Sequence, residues 1–151
     1  MSLALLVHLL GVVVWVGGMF FAHVALRPSA AELLDPPLRL PLLAATLGRF
    51  FAWVVVAVVA ILLSGFGLIA GAGGFRAVGP HVHAMTGIGV AMAAIFAYIR
   101  LAPFPRLRRA VAAKAWPDAG RAMGTVRLLV AVNLVLGLAT IVIAVLGGAL
   151  S

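Results

Sequence analysis

Four histidines carry most of the chemistry available to this sequence: His8, His23, His81 and His83. A methionine, Met85, completes the run His-Val-His-Ala-Met at 81–85. Imidazole nitrogens and a thioether sulfur are ligands for haem iron and for copper(I). The three acids, Glu32, Asp35 and Asp118, fall in loop stretches and none lies in an apolar run. That argues against paired-carboxylate catalysis and against a carboxylate proton relay. No Ser–His–Asp set can be assembled from the apolar segments, and no glycine-rich phosphate loop is present. Cysteine is absent, which excludes disulfides and thiolate ligands.

These side chains must be positioned by membrane-spanning helices. The chain has 151 residues, of which 66% are hydrophobic and 9% charged, well outside the soluble range. Four apolar runs, at about 3–26, 50–70, 81–102 and 126–146, are each long enough to cross a hydrocarbon core of ~30 Å. Backbone polar groups in lipid must be satisfied internally, so the runs are expected to be helices. The expected fold is an all-α integral membrane protein, one four-transmembrane-helix bundle over residues 1–151. The first run has no positive charge before Arg27 and is too long for a signal-peptide core, so it is read as a retained span. The second span is expected to begin near Leu38, with a kink or break at Pro41. "SAAE" at 29–32 has the spacing of a capping box for a short interfacial turn.

Charge sets the expected topology. Arg27, Arg39 and Arg49 flank the first loop, and Arg100, Arg106, Arg108, Arg109, Lys114, Arg121 and Arg127 occupy or flank the third. The second loop carries Arg76 alone. The positive-inside rule then places both termini and the 71–80 loop on the periplasmic side of a bacterial-type inner membrane. Because the net charge of +8 lies between the spans, it points to lipid rather than nucleic acid. The third loop reads as a basic amphipathic segment on anionic lipid.

On this topology His8 lies ~7–8 Å below the outer end of the first helix, and His81 and His83 enter at the same end of the third. His23 lies about 22 Å deeper than His8. At 100° per residue, His8, Val12, Trp15 and Met19 fall within about 20–40° of one line, a stripe facing the bundle interior, with His23 about 60° from His8. His81 and Met85 share a face, while His83 is turned about 200° away. The two histidines converge only if the turn after Pro80 is not yet regular helix.

Two chemistries fit, and a third class has none. Haem b would take His8 and one of His81 or His83 as axial ligands. Gly11, Gly17, Gly18, Gly87 and Gly89 would give the porphyrin flat space, and Arg76 would meet the propionates. Such a protein would transfer electrons, with a quinone or another redox partner. Copper would use His8, His81, His83 and Met85, with Met19 and Met92 continuing a soft-ligand path toward His23. The third class is a cofactor-free structural subunit. Either metal reading needs neutral imidazole, so acid should release the group. Trp53 and Trp116 sit where an aromatic belt would be. Asn133 is expected to make an interhelical hydrogen bond, and the glycines of "GFGLIAGAGG" to serve packing and a turn. Small residues in the spans allow a homodimer.

The stretch "HLLGVVVWVGGMFFAHVALRP", residues 8–28, resembles the opening helix of the copper-resistance D (CopD) family of membrane proteins. The matching features are His8, Trp15, Gly17, Gly18, Phe20 and Phe21. "HVHAM" at the third span is similar to the same family, and the resemblance takes in the whole chain as a four-helix unit. It implies copper uptake across the inner membrane, although full copper-resistance proteins are longer, with additional helices. The opening also resembles the HemJ-type protoporphyrinogen oxidases. By that likeness His8 corresponds to the first-helix haem ligand and His81 to the histidine of a His-x-Lys pair. His83 stands where that group has lysine, a departure that bears on the oxidase activity more than on haem ligation.

Overall fold

The computed structural model describes residues 2–149; residues 1, 150 and 151 of the expected 1–151 unit lie outside the described residues. The described residues are helical apart from short connections, and no strand is found among them. Four helical stretches are long and apolar enough to cross a membrane, as expected. They are α1 (Leu3–Leu33), α2 (Pro36–Gly71), α3 (Pro80–Leu101) and α5 (Trp116–Ala149), with a short α4 (Pro103–Ala112) between the last two.

The helices run beyond the apolar runs that identify them. α2 begins with Pro36 and Pro37 at its first positions, where a missing N–H costs no helical bond, behind an extended Asp35. The expected kink or break at Pro41 does not occur, since α2 is continuous across it. Pro41 lies in the second turn, where its ring removes a single bond close to the helix start. Nor does "SAAE" form a capping box. Ser29 to Glu32 lie inside the helical segment Arg27–Leu33, whose start carries no side-chain cap.

α1 is not uniform. Two π-helical turns interrupt it, at Val13–Gly17 and Ala22–Leu26. The second precedes Pro28, which has no N–H to give to Val24, so the wide turn falls where the α-helical ladder is broken in any case. Each wide turn advances fewer degrees per residue than α-helix does, so the 100° extrapolation from His8 to His23 does not hold along this helix.

α2 ends in a glycine turn. Gly73 and Gly74 adopt φ of 101° and 88°, a region that side chains other than glycine rarely enter, and the Gly74 N–H closes on the Ile69 carbonyl at 2.8 Å. α3 is regular from Pro80 onward. The basic third loop does form an amphipathic helix. α4 buries Pro103, Phe104 and Leu107 against the bundle and leaves Arg106, Arg108 and Arg109 exposed.

α1 pairs with α2, and α3 pairs with α5, while α2 and α3 touch little. The packed core occupies the half of the bundle nearest the arginines. Trp15, Phe96, Phe51 and Phe104 form a chain of edge-to-face contacts there, with ring centroids 6.2, 5.5 and 5.0 Å apart in succession. Met19 and Met92 belong to this core, so both sit as packing residues. Asn133 makes the expected interhelical bond, its Nδ2 donating to the Met92 carbonyl at 3.0 Å. The other half is thinly packed. Over 3–10, 58–91 and 138–149, only Ser64 and Ile69 are buried.

Candidate functional site

In the thinly packed half, a groove of about 310 Å³ opens among α1, α2, α3 and α5. Its wall includes His8, Gly65, Phe66, Met85, Thr86 and Gly89. Leu5, Leu9 and Phe66 at its rim are exposed, so on one side the groove faces lipid.

His8 is half-buried and held against α2. Its Nδ1 lies 3.1 Å from the Ile61 carbonyl and 3.2 Å from Ser64 Oγ. A carbonyl only accepts, so in the neutral ring Nδ1 carries the proton and Nε2 keeps its lone pair. Nε2 makes no hydrogen bond among the described residues. Ser64 donates its own proton to the Ala60 carbonyl at 2.5 Å, leaving its oxygen free to accept from His8. Gly65 completes the seat, because a Cβ there would stand 3.2 Å from His8 Cε1. A histidine with one nitrogen fixed by a carbonyl and the other open is the arrangement in which protein imidazoles bind metals.

The other sequence-identified residues are distributed differently. Met85 and Gly89 line the same groove as His8. His81 does not line it. Its ring lies against Gly79, where a Cβ would be 2.8 Å away, and it is in contact with Gly147 of α5. His83 is exposed at the start of α3, its Nδ1 3.1 Å from the Gly79 carbonyl and its ring 5.6 Å from that of Phe75. The regular start of α3 thus keeps the two apart, as their 200° separation implied. Among the described residues, no three histidines or acids come together as a metal-binding group. His23 lies at the opposite end, beside Arg27 and Arg127.

The glycines divide in the same way. A Cβ at Gly11 would come within 2.7 Å of Ile61 Cγ1 and 3.2 Å of the Ala57 carbonyl, and one at Gly18 would collide with Phe50. Both positions let α1 approach α2 closely rather than open a slot. Gly17 and Gly87 meet nothing within 4 Å. Trp15 is buried in the core against Phe96, and Arg76 is exposed in the 3-10 turn Phe75–Ala77. Ser64 and the Ile61 carbonyl were not singled out in the sequence, and Gly65 only as one of the packing glycines of "GFGLIAGAGG". Ser64 had a signal, being the lone hydroxyl of the apolar run 50–70.

The model of the copper resistance protein D family matches residues 44–146. This chain belongs to the CopD family. The match takes in most of α2 and all of α3, the short α4 and nearly all of α5, and includes the His81–Met85 run. The opening stretch 8–28, which also carried the resemblance, lies outside the matched residues, and the likeness to HemJ-type oxidases gains no support from the comparisons. No curated protein and no solved structure matches the chain.

Proposed function

We propose that this CopD-family membrane protein carries a haem b in the groove beside His8 and serves in electron transfer within the membrane. One observation supports the reading above the others. A histidine with a fixed Nδ1 and an open Nε2 borders an apolar groove in the half of the bundle that the helices do not fill. An ion alone needs no such space, whereas a flat apolar group does.

The residues present fit that group. His8 would hold the iron, and Met85 of α3, which lines the same groove, would offer a thioether as second ligand, a pairing used in haem proteins. His81 and His83, the expected second ligands, do not line the groove. The bound group would supply reversible one-electron chemistry. The chain's own part is to fix the imidazole through Ile61 and Ser64, with Gly65 leaving room for its ring, and to keep water out of the groove with Leu5, Leu9 and Phe66. A membrane quinone or redox protein is the proposed partner. The arginine distribution supports placing both termini on the outer side of a bacterial inner membrane.

The second reading is copper(I) held by His8 and Met85. It is favoured by the family's name and by this nitrogen–sulfur pair in a site without carboxylates. The test is an absorption spectrum of purified protein, oxidised and dithionite-reduced, with metal analysis. A Soret band and sharpened visible bands, lost in His8→Ala, support haem. Copper without those bands supports the second reading. Neither group, after reconstitution, refutes both.

A further inference from the structure

A second pocket, at the opposite end of the bundle, is unconnected with His8. It has a volume of about 290 Å³ and is lined by three arginines, Arg27 of α1, Arg39 of α2 and Arg127 of α5. No carboxylate lines it. The one ion pair among the described residues, Arg121 with Asp118, lies elsewhere. Glu32 and Asp35, the acids nearest in sequence, are exposed and pair with none of the three. Arg39 spends part of its guanidinium on the Ala31 and Leu34 carbonyls, at 3.4 and 3.5 Å. Arg27 is left unsatisfied, its Nε buried with no hydrogen-bond partner.

A buried guanidinium N–H without an acceptor is costly, and three converging arginines without an acid repel one another. An anion in the pocket would offset the repulsion and give acceptors to the terminal guanidinium N–H groups. Arginine's fork of donors matches the oxygens of phosphate. The helix surface beside the pocket suits the second half of the ligand. Leu42 and Leu128, next in the chain to Leu43 and Arg127 of the pocket wall, are exposed apolar side chains, while the cleft that adjoins the pocket, about 20 Å³, is too small for an acyl chain. A charged pocket beside an apolar helix surface at a membrane face has the polarity of a lipid. We propose that the Arg27–Arg39–Arg127 pocket binds the phosphodiester of an anionic phospholipid, with its acyl chains along the apolar outer surface of the helices. The site is separate from the haem reading and stands or falls without it.

The experiment uses the whole protein, delipidated in a neutral detergent. It is titrated with phosphatidylglycerol, phosphatidylcholine and glycerol phosphate, and binding is read by native mass spectrometry and by the rise in melting temperature. Phosphatidylglycerol should bind and stabilise. Losing one charge-assisted contact, in Arg27→Gln or the exposed Arg127→Gln, should weaken binding about tenfold or more. Arg108→Gln, at the same end but outside the pocket, should bind as wild type. Equal weakening in Arg108→Gln would mean a diffuse basic surface and overturn the proposal. Equal affinity for glycerol phosphate would assign the pocket to a free phosphate compound and overturn the lipid. No preference for phosphatidylglycerol over phosphatidylcholine would also overturn it.

Discussion

Replacing Gly11 and Gly17 separately by alanine tests how α1 is held. The two glycines share one helix, and each substitution gains about 0.5–1 kcal/mol of helix propensity, so that gain cancels when the variants are compared. What remains is the clash. A Cβ at Gly11 would stand 2.7 Å from Ile61 Cγ1 and 3.2 Å from the Ala57 carbonyl, whereas one at Gly17 would meet nothing within 4 Å. Carbon atoms rest at about 3.5–4.0 Å, so α1 and α2 must part by nearly 1 Å or Ile61 must leave its rotamer. Ile61 is β-branched and stiff, and its carbonyl is the acceptor for His8. Overpacking of this kind costs about 1–3 kcal/mol. Gly11→Ala should therefore be less stable than Gly17→Ala by that amount, measured by unfolding in mixed micelles. Its His8 seat should loosen too, seen as weaker retention of the bound group. Equal stability of the two variants would refute the close α1–α2 contact, and would restore Gly11 as part of an open slot.

Three further outcomes are expected. Asn133→Leu should change stability by less than about 1 kcal/mol, because an interhelical hydrogen bond in a membrane contributes ~0.6 kcal/mol and the unpartnered Oδ1 is removed with it; a loss several times larger in the same unfolding assay would show the amide to be indispensable. Leu107→Ala should cost about 2–5 kcal/mol, since the side chain is fully buried where α4 docks, while the exposed Arg109→Ala should be near neutral; melting temperatures of the pair check this. The group bound at His8 should be released in acid, because a protonated Nε2 has no lone pair to give; an absorption spectrum that stays unchanged down to the pH at which the protein unfolds would count against histidine ligation.

The four helices were legible because apolar length alone announces a span. Their ends were not, because the second span was placed from near Leu38 with a break at Pro41, and only their place in the first turns makes Pro36, Pro37 and Pro41 tolerable. "SAAE" carried a true capping pattern, but nothing local reveals that the helix has already begun upstream. The ligand set was half legible. Spacing on a regular α3 separated His81 from His83, and it grouped Met85 with His81. That Met85 reaches the groove and His81 does not depends on how α5 lies, with Gly147 against the His81 ring. The seat of His8 depends on a backbone carbonyl, which no sequence pattern marks. Gly11 and Gly18 were ambiguous in the sequence, because a glycine that admits a cofactor and one that admits a helix look alike there.

The two wide turns of α1 separate its ends in another sense. Each lets the helix absorb about one residue beyond the α-helical path, and one residue is worth about 100° of facing direction. The segment bearing His8 can therefore be oriented toward Ile61 while the segment bearing Arg27 is oriented toward Arg127, with neither orientation dictating the other. Insertions and deletions, usually ruinous within a span, have two places here where they alter register locally. The groove and the arginine pocket can on this account diverge independently among descendants of one ancestral chain, although a single helix serves both.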